Sequence, residues 1–315
     1  MRIIIDWRSF LEDSFVFICT ITTGLRGGIH MKLFTRKSLQ VCAVLMAVMI
    51  MLAGCAGTAS APQASGTGEK QVMLDYLQGT LGDFAAIDAL IADKDLGLMK
   101  DTSSGEAVTS ETLTKYLGIL QGYDSSITSK LDEIQKRDAP NDPDIAFFKA
   151  AEMMEFQTTS DILDEYIQLL KYANSLLDMT ASLSPLSNVA DTTDLQAVYN
   201  AFNTAISSAI DKMKAVEAPS FLKSASDAFI GVLGEMNDAV LYLLQSASLN
   251  DPVRLNAANY RFDILTRKLS TISSEFGQDV TTREAKLKAD VKSIQTENDS
   301  LKNWVQKNID KLNVK

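Results

Sequence analysis

The chain has 315 residues, with 40 acidic and 30 basic side chains, three cysteines and one histidine. Its net charge of −10 argues against nucleic acid as a partner, because a negative surface repels phosphates. His30, Cys19 and Cys42 all precede Cys55, so the chain beyond Cys55 has no residues for a Ser-His-Asp triad, a cysteine nucleophile or a histidine-ligated zinc site.

Residues 31–54 combine a basic start with a short apolar run. The run, residues 39–53, is shorter than the roughly 20 apolar residues that a membrane-spanning helix needs. A basic region, an apolar run and small residues before a cleavage point are the parts of a secretory signal. We therefore predict a signal peptide over residues 31–54.

The apolar run ends on Leu52-Ala53-Gly54-Cys55. This tetrapeptide resembles the lipobox of prokaryotic lipoprotein precursors. The resemblance implies that the Cys55 thiol receives a diacylglyceryl group, that a signal peptidase of type II cuts before Cys55, and that the mature protein is anchored to a membrane outside the cytoplasm. Two acyl chains provide the stable anchoring that one chain does not. An uncleaved membrane anchor and an ordinary cleaved secretory signal are the alternatives.

Residues 1–30 precede a signal that is already complete and begins with its own methionine, Met31. Their apolar stretch, residues 15–21, is too short to span a bilayer, and the acidic Glu12 and Asp13 do not fit the basic start of a signal peptide. We interpret residues 1–30 as an N-terminal extension that results from a start codon assigned too far upstream.

The chain after Cys55 is predicted to be a flexible tether followed by a helical domain. Residues 55–68 are small, polar and uncharged, which is typical of a linker. Over residues 69–315 apolar side chains recur every three or four positions, and no segment alternates with the period of a strand. The predicted fold class is all-α, an elongated antiparallel bundle of about six helices. A helix that ends in Ala-Pro and is followed by another helix, as at Ala139-Pro140 and Ala218-Pro219, also resembles uncharacterised all-helical lipoproteins, and this likeness implies no activity.

Capping residues and prolines predict where the helices begin. Asp142 and Pro143 have the order of an N-cap and a first helical residue, and Asp251-Pro252 repeats that order before the last helix. The spacing of Ser103 and Glu106 predicts a capping box for the second helix. Thr193 and Gln196 predict another for the fourth helix.

The last helix is predicted to be long and coiled-coil-like, because it carries a heptad pattern from residue 284 onward. The seam consists of Leu287, Val291, Ile294, Asn298, Leu301, Val305 and Leu312. An asparagine at one a position fixes register or oligomeric state in coiled coils. Asn298 and the neighbouring Trp304 are therefore candidate contacts for a partner protein or an envelope polymer. The alternative, which we favour, is a seam packed within the chain's own bundle, for instance on the first helix.

The spacing of the carboxylates gives little indication of a catalytic or metal-binding site. Glu152 and Glu155 lie three apart on the third helix, but di-iron bundles use Glu-x-x-His and the histidines are absent. We predict that these carboxylates form a solvated face. The aspartates of residues 93–101 lack the spacing of an EF-hand. We predict no catalytic residue, no metal site and no cofactor.

Three functions remain open from the sequence. The leading hypothesis is a non-catalytic, lipid-anchored bundle that binds a protein or a structural component of the envelope. The second is a ligand-binding or sensory domain with a small-molecule pocket between helices. The third is an enzyme that uses carboxylates alone. Buried carboxylates with raised pKa values would favour the third, and a pocket lined by aromatic residues and inward charges would favour the second.

Overall fold

The computed structural model describes residues 67–93, 109–186, 194–249 and 251–314. The predicted extension, the signal peptide, the lipobox and most of the tether lie outside these ranges. The capping pair Ser103 and Glu106, the Thr193 of the other predicted capping pair, and most of the aspartate-containing loop also lie outside them.

Six α-helices occupy nearly all of the described ranges, and no strand occurs within them. They are α1 (Thr67–Ala92), α2 (Ser110–Lys136), α3 (Pro143–Leu183), α4 (Leu195–Lys214), α5 (Lys223–Ser248) and α6 (Pro252–Val314), with a 3-10 turn at Ser220–Leu222. The prediction of an all-α bundle of about six helices is confirmed. The last helix is long, as predicted: its 63 residues extend about 95 Å at 1.5 Å per residue. None of the described helices combines the length and apolar character needed to cross a bilayer.

Two predicted helix starts are confirmed. The Asp142 carboxylate accepts hydrogen bonds from the backbone N–H groups of Asp144 and Ile145, and Pro143 is the first residue of α3. Asp251 accepts from the backbone N–H groups at the start of α6 in the same way, at 3.0 and 3.2 Å. Each cap satisfies N–H groups that have no partner within the helix.

The two predicted capping boxes do not start their helices. α2 begins after Thr109, whose hydroxyl accepts from the backbone N–H of Thr112. α4 begins after Asp194, whose carboxylate accepts from the N–H groups of Gln196 and Ala197. In both places several Ser, Thr or Asp residues precede the apolar pattern, and any of these types can serve as an N-cap. The sequence pattern therefore identifies the helix but not its first residue.

Two antiparallel helices, α3 and α6, form a spine shared by two four-helix units. The N-terminal unit consists of α1, α2, the first half of α3 and the second half of α6 (residues 283–314). The C-terminal unit consists of the second half of α3, α4, α5 and the first half of α6 (residues 252–282). Contacts along the spine are Trp304 stacked on Phe148 at 4.6 Å, Arg283 paired with Glu165, and Phe276 packed on Tyr172 at 6.1 Å.

The heptad seam of α6 lies inside the N-terminal unit. Leu287, Val291, Ile294 and Val305 are all buried, and the second half of α6 packs on α1. The structure thus shows the intramolecular alternative for the seam. Burying a large aliphatic side chain stabilises a fold by about 1.5–3 kcal/mol, so these four residues contribute strongly to the attachment of α6.

Candidate functional site

The predicted lipidation site, Cys55, and its lipobox lie outside the described residues. The predicted partner contacts, Asn298 and Trp304, lie in the N-terminal unit and make contacts within it. Asn298 is 1% exposed, and its Nδ2 donates a hydrogen bond to Asp88 of α1 at 2.7 Å. The ring of Trp304 is parallel to that of Phe148 within 7°. A partner would reach Asn298 only if α6 moved away from α1.

The prediction of a solvated face for Glu152 and Glu155 is wrong. Glu152 is 0% exposed and Glu155 is 3% exposed. In the N-terminal unit α3 contacts α2 and α6, and α1 lies diagonally opposite across the core. The two side chains therefore point into the unit rather than to solvent. Carboxylates are almost never buried without a partner, which is why the pattern favoured exposure.

Glu152 lies beside Asp83 of α1, near two cations of the α2 segment. Arg137 donates to the Asp83 carboxylate and, at 3.2 Å, to Thr80 Oγ1, while Lys130 Nζ lies 3.5 Å from Asp83. Burial, and then the negative charge of Asp83, raises the pKa of Glu152 to about 8, although the Arg137 guanidinium acts in the opposite direction. At neutral pH Glu152 is therefore a neutral acid next to an ion-paired carboxylate.

Glu155 makes a similar contact with α6. Burial, and then the hydrogen bond and the negative charge of Glu297, raises the pKa of Glu155 to about 8. No donor among the described residues reaches Glu155 Oε1 or either carboxyl oxygen of Glu152. A proton on each buried glutamate lets it donate to the neighbouring carboxylate, which provides the missing hydrogen bond. We call Asp83, Glu152, Glu155 and Glu297 the carboxyl layer.

The carboxyl layer is suited to holding protons rather than a metal or a substrate. In the part of the chain that the structure describes, no group of three or more His, Cys, Asp or Glu is arranged to hold a metal ion. Each buried glutamate can keep or release one proton. Because Glu152 is fully covered, its proton is not presented to a molecule in solution.

The C-terminal unit carries an open groove between α5 and α6, which we call the α5–α6 groove. It has a volume of about 670 Å³. Its lining consists of Ala228, Gly231, Val232 and Glu235 from α5 and Ile264, Arg267, Lys268, Thr271 and Ile272 from α6. Lys268 pairs with Glu235 across it at 2.8 Å. A Cβ atom at Gly231 would meet no atom within 4 Å, so the α5 side has room for an approaching side chain or helix.

An exposed apolar and basic face continues the groove toward the start of α6. Val253 is 75% exposed and Tyr260 is 66% exposed, and with Ile264 they recur at helical spacing. Arg254 and Arg261 lie beside them, and residues 252–271 carry four basic side chains and one acidic one. Over the remaining residues taken together, acidic side chains outnumber basic ones by 39 to 26. This segment was not predicted to be a binding surface. Its sequence does contain a second stripe of apolar residues, offset from the buried stripe, which could have indicated one.

Comparisons of the chain with protein-family models, with curated proteins and with solved structures return no match. A helical bundle alone does not specify an activity. A function must therefore be assigned from the carboxyl layer, the α5–α6 groove and the lipobox.

Proposed function

We propose that the chain is a lipid-anchored protein of the cell envelope whose helical domain binds a partner protein without catalysing a reaction. The lipobox that ends in Cys55 supports the anchor, through a diacylglyceryl group on that residue. The α5–α6 groove is the observation that carries the binding function. An open apolar groove with a basic rim, on a chain of net charge −10, is a surface distinct from the rest of the molecule.

The partner of this groove is an acidic amphipathic helix. Ile264, Val232 and the open space at Gly231 accept apolar side chains that recur at helical spacing. Arg267 lies where an acidic residue on the flank of such a helix would pair with it, and Lys268, which is paired with Glu235 at 2.8 Å, is a second cation at the rim. The net negative charge of the chain as a whole disfavours binding of the same partner to much of its surface, so the groove also provides selectivity.

The groove fits a helix better than a small molecule, and the carboxyl layer fits a structural role better than a catalytic one. Small-molecule sites enclose most of the ligand surface, whereas this groove is open along the helices. The buried glutamates have the raised pKa values expected of a general acid, but Glu152 is 0% exposed and each glutamate faces another acid. Both observations support binding over the ligand-sensing and enzymatic alternatives.

The anchor is tested by Cys55→Ala. We expect the variant to remain an unprocessed precursor without lipid, because the thiol that accepts the diacylglyceryl group is gone. Mass spectrometry of the purified chain and fractionation of membranes measure both effects. Ser60→Ala, in the tether, is the control and is expected to be processed normally. A Cys55→Ala protein that is matured and retained at the membrane like the original would disprove the anchor.

The groove is tested by Gly231→Leu. The probe is a synthetic helix with leucines at 3-4 spacing and glutamates on its flanks, and its binding is measured by fluorescence anisotropy. We expect Gly231→Leu to weaken binding by about tenfold or more, about 1.4 kcal/mol, because the new side chain fills the space that the probe needs. The fold should be retained, since leucine has a higher helix propensity than glycine.

Gly122→Leu provides the matched control, because Gly122 is also an exposed helical glycine with no atom within 4 Å of an added Cβ. It is expected to bind the acidic helix as the original chain does. A lysine-flanked version of the probe should not bind. Equal binding of both probes, or equal losses in both glycine variants, would contradict the proposal. If vesicles with anionic lipids compete for the groove and the acidic helix does not, a membrane surface is the occupant and the protein partner is wrong.

A further inference from the structure

A second exposed apolar surface lies on the outer side of α3, in the N-terminal unit. Phe147 is 79% exposed and Met154 is 68% exposed, and Ala150 and Ala151 lie between them on the same side of the helix. We call these four residues the α3 stripe. Large apolar side chains that are exposed together on a helical bundle indicate a binding surface. The α3 stripe is separate from the α5–α6 groove, which lies in the other unit.

Carboxylates flank the α3 stripe at both ends. Asp144 precedes the stripe, Asp161 and Asp164 follow it, and all three side chains are exposed. Lys149 is the one basic residue of residues 143–164. It is half-buried, and its ammonium donates to two backbone carbonyl oxygens near the end of α2, at 2.6 and 3.1 Å. The stripe and its flanks therefore have the pattern of an acidic amphipathic helix, which is the kind of partner assigned to the α5–α6 groove.

The α3 stripe and the exposed face of α6 match in spacing. Phe147 and Met154 are seven residues apart, as are Val253 and Tyr260, so each pair spans two helical turns, about 10 Å. The flanking carboxylates extend over about 30 Å of α3, and the four basic side chains of the α6 face extend over about 21 Å. Laid side by side, the two surfaces place apolar against apolar residues and acids against bases, with room at Gly231 for the ring of Phe147.

One chain cannot bring its own α3 stripe to its own groove. Trp304, which stacks on Phe148 beside the stripe, is 36 residues from Lys268 of the groove, about 54 Å along α6. Because α3 and α6 both run through the two units as continuous helices, this separation is fixed. The groove can therefore receive an α3 stripe only from another molecule.

We propose that the partner of the α5–α6 groove is a second copy of this chain, which docks its α3 stripe there. The proposal rests on the binding function assigned to the groove and names its partner. The two surfaces in contact differ from each other, so the contact is heterologous and can close into a ring or continue into a row of copies. Each contact joins one helix face to one groove, which is a small area, so the copies dissociate on dilution. Anchoring at Cys55 would hold the copies at one membrane and raise their effective concentration.

Sedimentation velocity of the full chain, in excess detergent that covers the lipid, measures this association. We expect the average mass to rise with chain concentration. Phe147→Ala with Met154→Ala removes the apolar part of the stripe without changing its charge, and we expect it to weaken association by about tenfold or more. Both side chains are exposed, so the fold should be retained. Val72→Ala, which truncates an exposed apolar residue of α1, is the matched control and should associate as the original chain does.

A mixture of two variants tests whether the stripe binds the groove. Gly231→Leu fills the groove and keeps the stripe, whereas the double alanine variant keeps the groove, so neither should associate alone. Because each variant supplies the surface that the other lacks, an equimolar mixture should form a one-to-one pair. The proposal is overturned if the mixture stays monomeric, if the original chain is monomeric at every concentration, or if the double alanine variant associates as the original chain does.

The synthetic acidic helix distinguishes a failure of this inference from a failure of the binding function. If this probe binds the original chain more tightly than Gly231→Leu while the original chain stays monomeric, the groove binds a different protein and only the second copy is wrong. If Gly231→Leu changes neither the binding of the probe nor the association of the chain, the groove has no binding function and both proposals are wrong.

Discussion

Replacing Phe84 by alanine is expected to lower the free energy of unfolding by about 3–5 kcal/mol. Phe84 is 0% exposed, lies edge-to-face with Phe148 at 6.4 Å and is 6.1 Å from Phe156. Its ring fills the space between α1 and α3, on opposite corners of the N-terminal unit. Truncation leaves a cavity between two long helices that cannot close around it. Urea unfolding followed by circular dichroism at constant pH measures the loss.

Phe147→Ala is the matched control for Phe84→Ala. Phe147 lies on α3 next to Phe148 in the chain but is 79% exposed, so the same truncation is expected to change stability by about 0.5 kcal/mol or less. Comparing the two variants therefore separates the loss of stability caused by removing a core contact from any loss caused by removing a phenyl ring at the surface. Similar losses for both variants would mean that Phe84 does not occupy the core.

Raising the pH from 5 to 8 is expected to lower the free energy of unfolding by about 1.4 kcal/mol per pH unit for each proton held by the folded carboxyl layer. Glu152 and Glu155 have folded pKa values of about 8 against an ordinary value of 4.5. Below the ordinary value both the folded and the unfolded chains bind these protons, and the stabilisation is complete. Between the two values only the folded chain keeps them, so stability falls until the pH passes about 8.

Urea unfolding at a series of pH values tests this slope. The double variant Glu152→Gln and Glu155→Gln is compared with the original chain, because the difference isolates these two groups from all other titrating residues. We expect the difference in unfolding free energy to grow steadily from pH 5 to 8 in favour of the variant. Glu165→Gln, which breaks a half-buried ion pair with Arg283, should show no such growth. A pH-independent difference for the double variant would mean that both glutamates are ionised in the folded chain.

The helices were predictable because the apolar spacing that indicates each helix lies within one short stretch of the sequence. An apolar residue every three or four positions must be buried on one face, and the six segments with that pattern became the six helices. The Asp142-Pro143 start was predictable for the same reason, since a cap and its helix are adjacent in sequence. The first residues of α2 and α4 were not, because Thr109 and Asp194 compete with nearby residues of the same capping ability.

The carboxyl layer was not predictable because its members come from distant parts of the chain. Glu152 is buried against Asp83, and Glu155 against Glu297, so the pairs depend on which helices become neighbours. A glutamate three residues from another glutamate on an amphipathic helix is normally solvated, and nothing local marked this pair as different. The α5–α6 groove is intermediate: the exposed apolar positions of α6 were visible, but their pairing with Gly231 required the fold.

The shared spine limits how this protein can change in length. Each residue inserted into α3 would rotate everything after it by about 100° and shift it by 1.5 Å, so the C-terminal unit would lose its alignment with α6. A compensating insertion at the facing position of α6 would be needed to restore both units. Insertions and deletions that survive in descendants of this gene should therefore occur in matched pairs on α3 and α6, or in the loops that connect the helices.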